Sequence, residues 1–274
     1  MTSSRYDDDL RLALILADQV DSITMSRFKA IDLKVESKPD TTPVTDADRT
    51  VEEVIRAQLS RSRSRDAIVG EEYGTTGHSS RRWIIDPIDG TKNFVRGVPV
   101  WATLIALAEG DDIVVSVVSA PALNRRWWAA KGAGAWTGRS LANATRLSVS
   151  KVARIEDASI SYASLNGWKD LGLYNQFLSL TDEVWRSRAY GDFWSYMLVA
   201  EGAVDAAMEP ELELYDMAAL VAIVTEAGGT FTSVDGNYEG PWGPNAVASN
   251  GLLHRDILER LTPTMPATGD DAWE

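Results

Sequence analysis

Apolar positions in the first thirty residues recur with the period of a helix. Leu10, Ala13, Leu14, Ala17 and Val20 form one stripe between Asp7 and about Phe28. A polar connection containing Lys38-Pro39-Asp40 follows. Thr45 then stands where an N-cap belongs, ahead of a second stripe through Val51, Ile55 and Leu59. Ser60–Arg65 reads as an exposed basic loop. Beyond it the pattern shortens: Ala67–Val69 and Trp83–Ile85 are continuous apolar runs, read as buried strands that each lead into an acidic residue. Ala102–Ala108 and Asp112–Ser119 predict a hairpin about Glu109-Gly110, followed by a strand over Arg126–Ala130 and a turn-rich Lys131-Gly-Ala-Gly-Ala.

In the second half the pattern predicts strands at Ala158–Tyr162 and Ala203–Met208, with helices at Leu171–Leu180 and Phe193–Glu201. A helix over Asp216–Ala227 stops at Gly228-Gly229, and strands follow at Thr230–Val234 and Ala246–Ala248. Strands and helices come without a βαβαβ alternation, which predicts a layered α+β or mixed α/β sandwich. With no internal repeat or long linker, residues 1–274 read as one domain, with possible subdomains at about 1–150 and 151–262. The Pro-, Asp- and Gly-rich tail, 263–274, is expected to fray.

Composition narrows the functional classes. A formal net charge of −13 and a pI of about 4.7 disfavour nucleic acid or an anionic membrane as partner, because no cationic excess is available to neutralise phosphates. The absence of cysteine removes thiolate chemistry and disulfides. His78 and His254 are both expected at the surface, which makes a histidine zinc site a poor fit. The run Leu12–Ala17 is too short to span a bilayer and follows Asp7–Asp9 where a signal peptide would be basic, so a cytoplasmic protein is expected.

Five acids carry the chemistry: Asp48, Glu71, Asp86, Asp89 and Asp216. Several adjoin apolar residues, where an unpaired carboxylate is costly. If the fold gathers them, they cannot all ionise unless cations sit among them. Oxygen-only ligands suit Mg²⁺, with Mn²⁺ as substitute, and carboxylates holding several such ions are a device for cleaving phosphate esters. Gly90 and Thr91 follow where a helix N-terminus can offer N–H groups to a phosphate. Each acid also has a plainer reading alone: Asp86-Pro-Ile-Asp as a capped turn, Asp216 as an N-cap, Asp48 as an early-helix acid, Glu71 as a surface residue.

Trp83-Ile-Ile-Asp-Pro-Ile-Asp-Gly-Thr-Lys-Asn-Phe, together with Tyr215-Asp-Met-Ala-Ala and the following Val-Thr-Glu-Ala-Gly-Gly, resembles the inositol monophosphatase family over nearly the whole chain. Tyr215 stands where many relatives carry Trp, and Thr42 where some carry an acid. The resemblance implies a five-layered αβαβα sandwich, a homodimer, two or three Mg²⁺ ions and inhibition by Li⁺. It implies one ion on Glu71, Asp86 and the Ile88 carbonyl, a second on Asp86, Asp89 and Asp216, and a third through Glu71 and water. Gly90 and Thr91 match the phosphate-holding positions, with Asp48, Thr91 and Glu71 serving catalysis by a metal-activated water.

Within that family, the segments starting at Asn93, Ser119 and Arg188 look most like histidinol-phosphate phosphatases. Asp192 and Glu209 fall at positions that contact the leaving group and suit a cationic amine, and Arg188 would help with the phosphate or brace an acid. Asp192 can equally cap the helix at Phe193, and Glu209 can equally bond an inositol hydroxyl. An inositol- or sugar-phosphate phosphatase is therefore the alternative, with a non-catalytic regulatory member behind it. Trp101, Trp127 and Trp128 are expected in the core.

Overall fold

The computed structural model describes residues 5–39 and 42–262; Asp40 and the tail expected to fray lie outside them. Helix α1 (Asp7–Arg27) follows the first apolar stripe. The short hairpin β1 (Val35–Ser37) and β2 (Pro43–Thr45) leads into α2 (Asp46–Ser62). Thr45 is the N-cap, as its sequence context predicts: its hydroxyl oxygen accepts from the Ala47 and Asp48 N–H groups, and its own N–H donates to Asp48 at 2.8 Å. The expected basic loop at Ser60 is half helix, since α2 runs on to Ser62, and Arg63 beyond it pairs with Asp9 at 2.8 Å.

The chain then builds an eight-stranded sheet from β3 (Ala67–Gly70), β4 (Gly74–Thr76), β5 (Arg81–Asp89), β6 (Ala102–Glu109), β7 (Asp112–Ala120), β8 (Arg125–Ala130), β9 (Gly134–Gly138) and β10 (Ala144–Arg146). Helix α3 (Thr91–Arg96) interrupts it after β5. Strands β9 and β10 are absent from the sequence reading: Gly132, Gly134 and Gly138 break the alternation around β9, and β10 is only three residues long. A five-stranded sheet follows, from β11 (Ser159–Ser161), β12 (Arg186–Arg188), β13 (Ala206–Glu209), β14 (Thr230–Thr232) and β15 (Ala246–Ser249). Its helices are α4 (Asn166–Asp170), α5 (Tyr174–Glu183), α6 (Asp192–Ala200), α7 (Leu214–Glu226) and α8 (His254–Leu261). The single helix expected over Leu171–Leu180 starts late because Gly172 is left-handed at φ 77° and breaks the path from α4.

Three apolar clusters hold five layers together. One joins α1 and α2 to the large sheet through Leu16, Ile55, Trp83 and Trp128. A second packs the other face of that sheet, with Trp127, against α6 and α7. A third closes the small sheet against α4, α5 and α8. The order is αβαβα, as the resemblance implies, and Trp101, Trp127 and Trp128 are all fully buried. Among the described residues no helix is long and apolar enough to cross a membrane.

His254 departs from its expected surface position. It is buried, with Nε2 2.9 Å from the Thr232 hydroxyl and Nδ1 3.0 Å from that of Ser249. Two hydroxyls satisfy both ring nitrogens, so the neutral imidazole fits the interior, and burial lowers its pKa to about 4.

The feature that positions the site is an irregularity in β5. Asp86-Pro-Ile-Asp is not the capped turn of its plainer reading: β5 continues through Pro87 to Asp89. Asp86 pairs with Leu104 and Asp89 with Ala102, so three steps along β5 match two along β6. Residues three apart in a regular strand face opposite sides; one extra residue restores them to the same side. Pro87 can sit there because the bulge asks for no ladder N–H from it.

Glu52 on α2 fixes the next segment. Fully buried, its carboxylate accepts from Arg56 Nε at 2.6 Å and from the N–H groups of Glu72 and Tyr73 at 2.7 and 3.2 Å, which sets the turn carrying Glu71. A Cβ on Gly70 would lie 2.0 Å from Glu52 Oε1. Gly70→Ala should therefore cost about 2–4 kcal/mol in denaturant unfolding, because a buried, pinned carboxylate has to leave its donors. An unchanged midpoint would show that the pin is slack.

Candidate active site

Asp86 and Asp89 reach the site from the bulge, and Asp216 comes from the first turn of α7. Asp216 is not the N-cap that its sequence context allowed. Glu213 holds that position, and its N–H donates to Asp216 Oδ2 at 2.8 Å in a reciprocal capping box. Carboxylate oxygens of Asp86, Asp89 and Asp216 lie within 4.8 Å of one another. Glu71 adjoins them and raises the pKa of Asp86 by its charge. Its own carboxylate is held by Lys38, whose ammonium lies 2.6 Å from Glu71 and 2.7 Å from Glu72.

Burial lifts Asp86 and Asp89 well above the usual carboxylate range, and like charges push the same way: Glu71, Asp89 and Asp216 on Asp86, Asp192 and Asp216 on Asp89. Burial likewise raises Asp216 to about 7, with the charges of Glu71, Glu213 and Asp192 adding to it against the hydrogen bond from the Glu213 N–H. Among the described residues no Lys or Arg pairs with Asp86, Asp89 or Asp216. Gathered, desolvated, oxygen-only and lacking a cationic side chain, this donor set fits hard divalent cations.

Beside the acids, Gly90 turns the chain into α3 with φ 80°, where a Cβ would stand 2.9 Å from the Val100 carbonyl. Thr91 opens the helix. Its hydroxyl donates to the Ile88 carbonyl at 2.9 Å, with Asp48 Oδ1 at 3.4 Å as the alternative acceptor. Thr45 holds the other oxygen of Asp48, with its hydroxyl at 2.5 Å. Buried at 1% exposure, Asp48 is pushed up to about 7 by desolvation, helped by Glu71 and Glu72 and opposed by Thr45.

A cleft of about 460 Å³ opens over this cluster, bordered by Glu71, Asp89, Thr91, Asp192, Glu209 and Asp216, with Gly90 also in its wall. Asp86 and Asp48 are buried and do not line it. Burial raises Asp192, against the charge of Lys92, and lifts Glu209 well above its ordinary range, with Asp192 and Asp216 adding to it. Glu209 Oε1 is buried with no hydrogen-bond partner among the described residues. Arg188 stands apart: it is exposed, donates to the Ser187 carbonyl at 2.6 Å, and does not border the cleft.

Asp192 does not cap α6. The Phe193 N–H donates to Asp89 Oδ2 at 2.8 Å, and among the described residues the Asp192 side chain accepts from Asn93 rather than from an N–H of α6. Sequence reasoning missed Lys38, Asn93 and Tyr196. Tyr196 borders the cleft from one turn into α6, Asn93 bonds Asp192, and Lys38 closes the Glu71 side. Only Asn93 carried a signal, two residues after Thr91 inside the first motif.

Comparison with known proteins agrees with this geometry. The sequence profile of the inositol monophosphatase family matches residues 7–267. The chain is 63% identical to a histidinol-phosphatase of Streptomyces coelicolor over 93% of its own length and 97% of the relative's. It is 59% identical to a histidinol-phosphatase of Mycobacterium tuberculosis, over 93% and 98%. Among solved structures, the Thermotoga maritima IMPase superposes with a TM-score of 0.82 at 30% identity, over 93% of this chain and 96% of that one.

Proposed function

This chain belongs to the inositol monophosphatase family, and on that footing we propose that it hydrolyses L-histidinol phosphate to L-histidinol and phosphate with Mg²⁺ as its working cation. It is a phosphoric monoester hydrolase, and its family is metal-dependent. The observation that carries the substrate is the identity of 63% and 59% with two histidinol-phosphatases, about twice that with the Thermotoga maritima IMPase. Support also comes from the acids at the cleft: Asp192 and Glu209 offer acceptors to a substrate that brings an ammonium and an imidazole.

Glu71, Asp86 and the Ile88 carbonyl would hold one ion, Asp86, Asp89 and Asp216 a second, and Glu71 with water a third. When bound, the ions supply positive charge to the phosphoryl oxygens and the departing alkoxide and acidify the attacking water. Gly90 and Thr91 seat the phosphate. Thr91 orients the water through its hydroxyl, and Asp48, raised to about 7, takes the proton at neutral pH. Attack is in line with the leaving oxygen, with no covalent phosphoenzyme. Asp192 and Glu209 receive the nitrogen-bearing end. In this reading Mn²⁺ substitutes for Mg²⁺, Li⁺ inhibits, and the working form is a cytoplasmic homodimer.

Phosphate release from L-histidinol phosphate and from myo-inositol 1-phosphate, measured side by side with Mg²⁺ and with EDTA, tests this. Preference for histidinol phosphate, lost in EDTA, is the expected result. Preference for the inositol ester would keep the phosphatase and discard the amine role of Asp192 and Glu209.

A further inference from the structure

Asp192 is held in a conformation that its own helix does not need. It is one of three non-glycine residues with positive φ among those described, at φ 48° in the first turn of α6. L side chains rarely adopt that backbone, and such positions concentrate where a side chain must be aimed. The expected reward, a cap on α6, is absent, since Asp89 takes the Phe193 N–H. What holds the carboxylate is Asn93. Its Nδ2 donates to Asp192 Oδ2 at 2.9 Å and to the Val100 carbonyl at 2.9 Å, so both amide hydrogens are committed and the amide cannot swing. Gly90 completes the seat: a Cβ there would lie 3.2 Å from Asp192 Oδ2. Asp192 Oδ1 makes no hydrogen bond among the described residues, and Asp192 borders the cleft.

We infer that Asn93 is a positioning residue for substrate selectivity: anchored on Val100, it fixes the Asp192 carboxylate so that its other oxygen meets the cationic nitrogen of the substrate. The inference rests on the histidinol phosphate reading. Asn93 and Gly90 both belong to the segment that carries Asp86 and Asp89, so one stretch of chain sets the distance between the reacting phosphate and the nitrogen-bearing end. Without the amide, the buried carboxylate would be left between the like charges of Asp89 and Glu209 and the opposite charge of Lys92, with no hydrogen bond to fix its direction.

The test is a double-mutant cycle on the full chain with Mg²⁺, read as the ratio of kcat/KM for L-histidinol phosphate to that for glycerol 2-phosphate, an ester without nitrogen. Asn93→Ala should lower the ratio roughly tenfold, mainly through KM for the amine substrate, with glycerol 2-phosphate turnover little changed. Asp192→Asn keeps the shape and tolerates the left-handed backbone while removing the charge, and should lower the ratio comparably. In the Asp192→Asn background, Asn93→Ala should then add almost nothing. Asn93→Asp, of the same shape but facing Asp192 with an acceptor, should lower the ratio at least as far, and it serves if the alanine variant does not fold. A ratio unchanged by either Asn93 variant, an equal loss on both esters, or full additivity with Asp192→Asn would overturn the inference. A wild-type protein without preference for histidinol phosphate would overturn instead the substrate reading beneath it.

Discussion

Asp89→Asn is expected to lower kcat/KM for phosphate release by more than about a thousandfold, roughly 4 kcal/mol of transition-state stabilisation, while the fold stays intact. Asp89 touches two parts of the molecule. Its carboxylate belongs to the group of three acids within 4.8 Å, and its Oδ2 accepts the Phe193 N–H at 2.8 Å. An asparagine oxygen can still accept that hydrogen bond, so α6 keeps its start. What is lost is one negative charge among the cation ligands, and with it the field that would hold a divalent ion beside the phosphate. In EDTA at neutral pH the variant should melt no lower than the parent, because a buried acid that burial and the charges of Asp192 and Asp216 make costly to ionise has been replaced by a neutral amide. Phosphate release and thermal melts on the same preparation check both halves. An active, metal-dependent Asp89→Asn protein would sink the assignment.

Raising the pH should make the protein progressively more dependent on Mg²⁺ for its stability. Asp48 and Asp216 are lifted to about 7 in the fold, and Asp86 and Asp89 are raised well above their ordinary value. In the unfolded chain these carboxyls ionise near 4. Folded pKa values above unfolded ones mean that the native state binds more protons in this window. The stability that protonation contributes is therefore complete below about pH 4 and is lost as pH rises through about 7. Cations that bind the ionised acids return it. The gain in melting temperature from saturating Mg²⁺ over EDTA should be about 2 °C or less at pH 5 and roughly 5–10 °C at pH 8. Equal gains at the two pH values would show that the acids are already ionised in the metal-free fold.

Local signals in the chain were readable; distant pairings were not. Thr45 as an N-cap, the helical stripes of α1 and α2 and the hairpin at Glu109-Gly110 all rest on neighbours within a few residues. The acids of the site were legible because their motifs keep fixed spacing, and three of them meet as expected. Lys38 stayed hidden because its partners lie 33 and 34 residues on, in a turn that Glu52 arranges from a different helix. His254 looked like a surface residue because the hydroxyls that make its burial tolerable come from Thr232 and Ser249 on separate strands. Asp192 was legible as an acid at the cleft but not as a left-handed residue, a strain that its sequence neighbours do not announce. Arg188, chosen by position in a motif, is exposed in the structure and points its guanidinium at the carbonyl of the residue before it.

The bulge at Pro87 makes the chemistry of this chain sensitive to counting rather than to composition. Pairing the same residues with β6 in regular register, without the bulge, would leave both acids, the apolar run before them and the glycine after them in the sequence. Yet one carboxylate would then be driven into the packed interior while the other stayed at the cleft. Two acids three residues apart can therefore share one cleft only where the strand pairing carries the bulge, whereas acids two apart would share it on a regular strand.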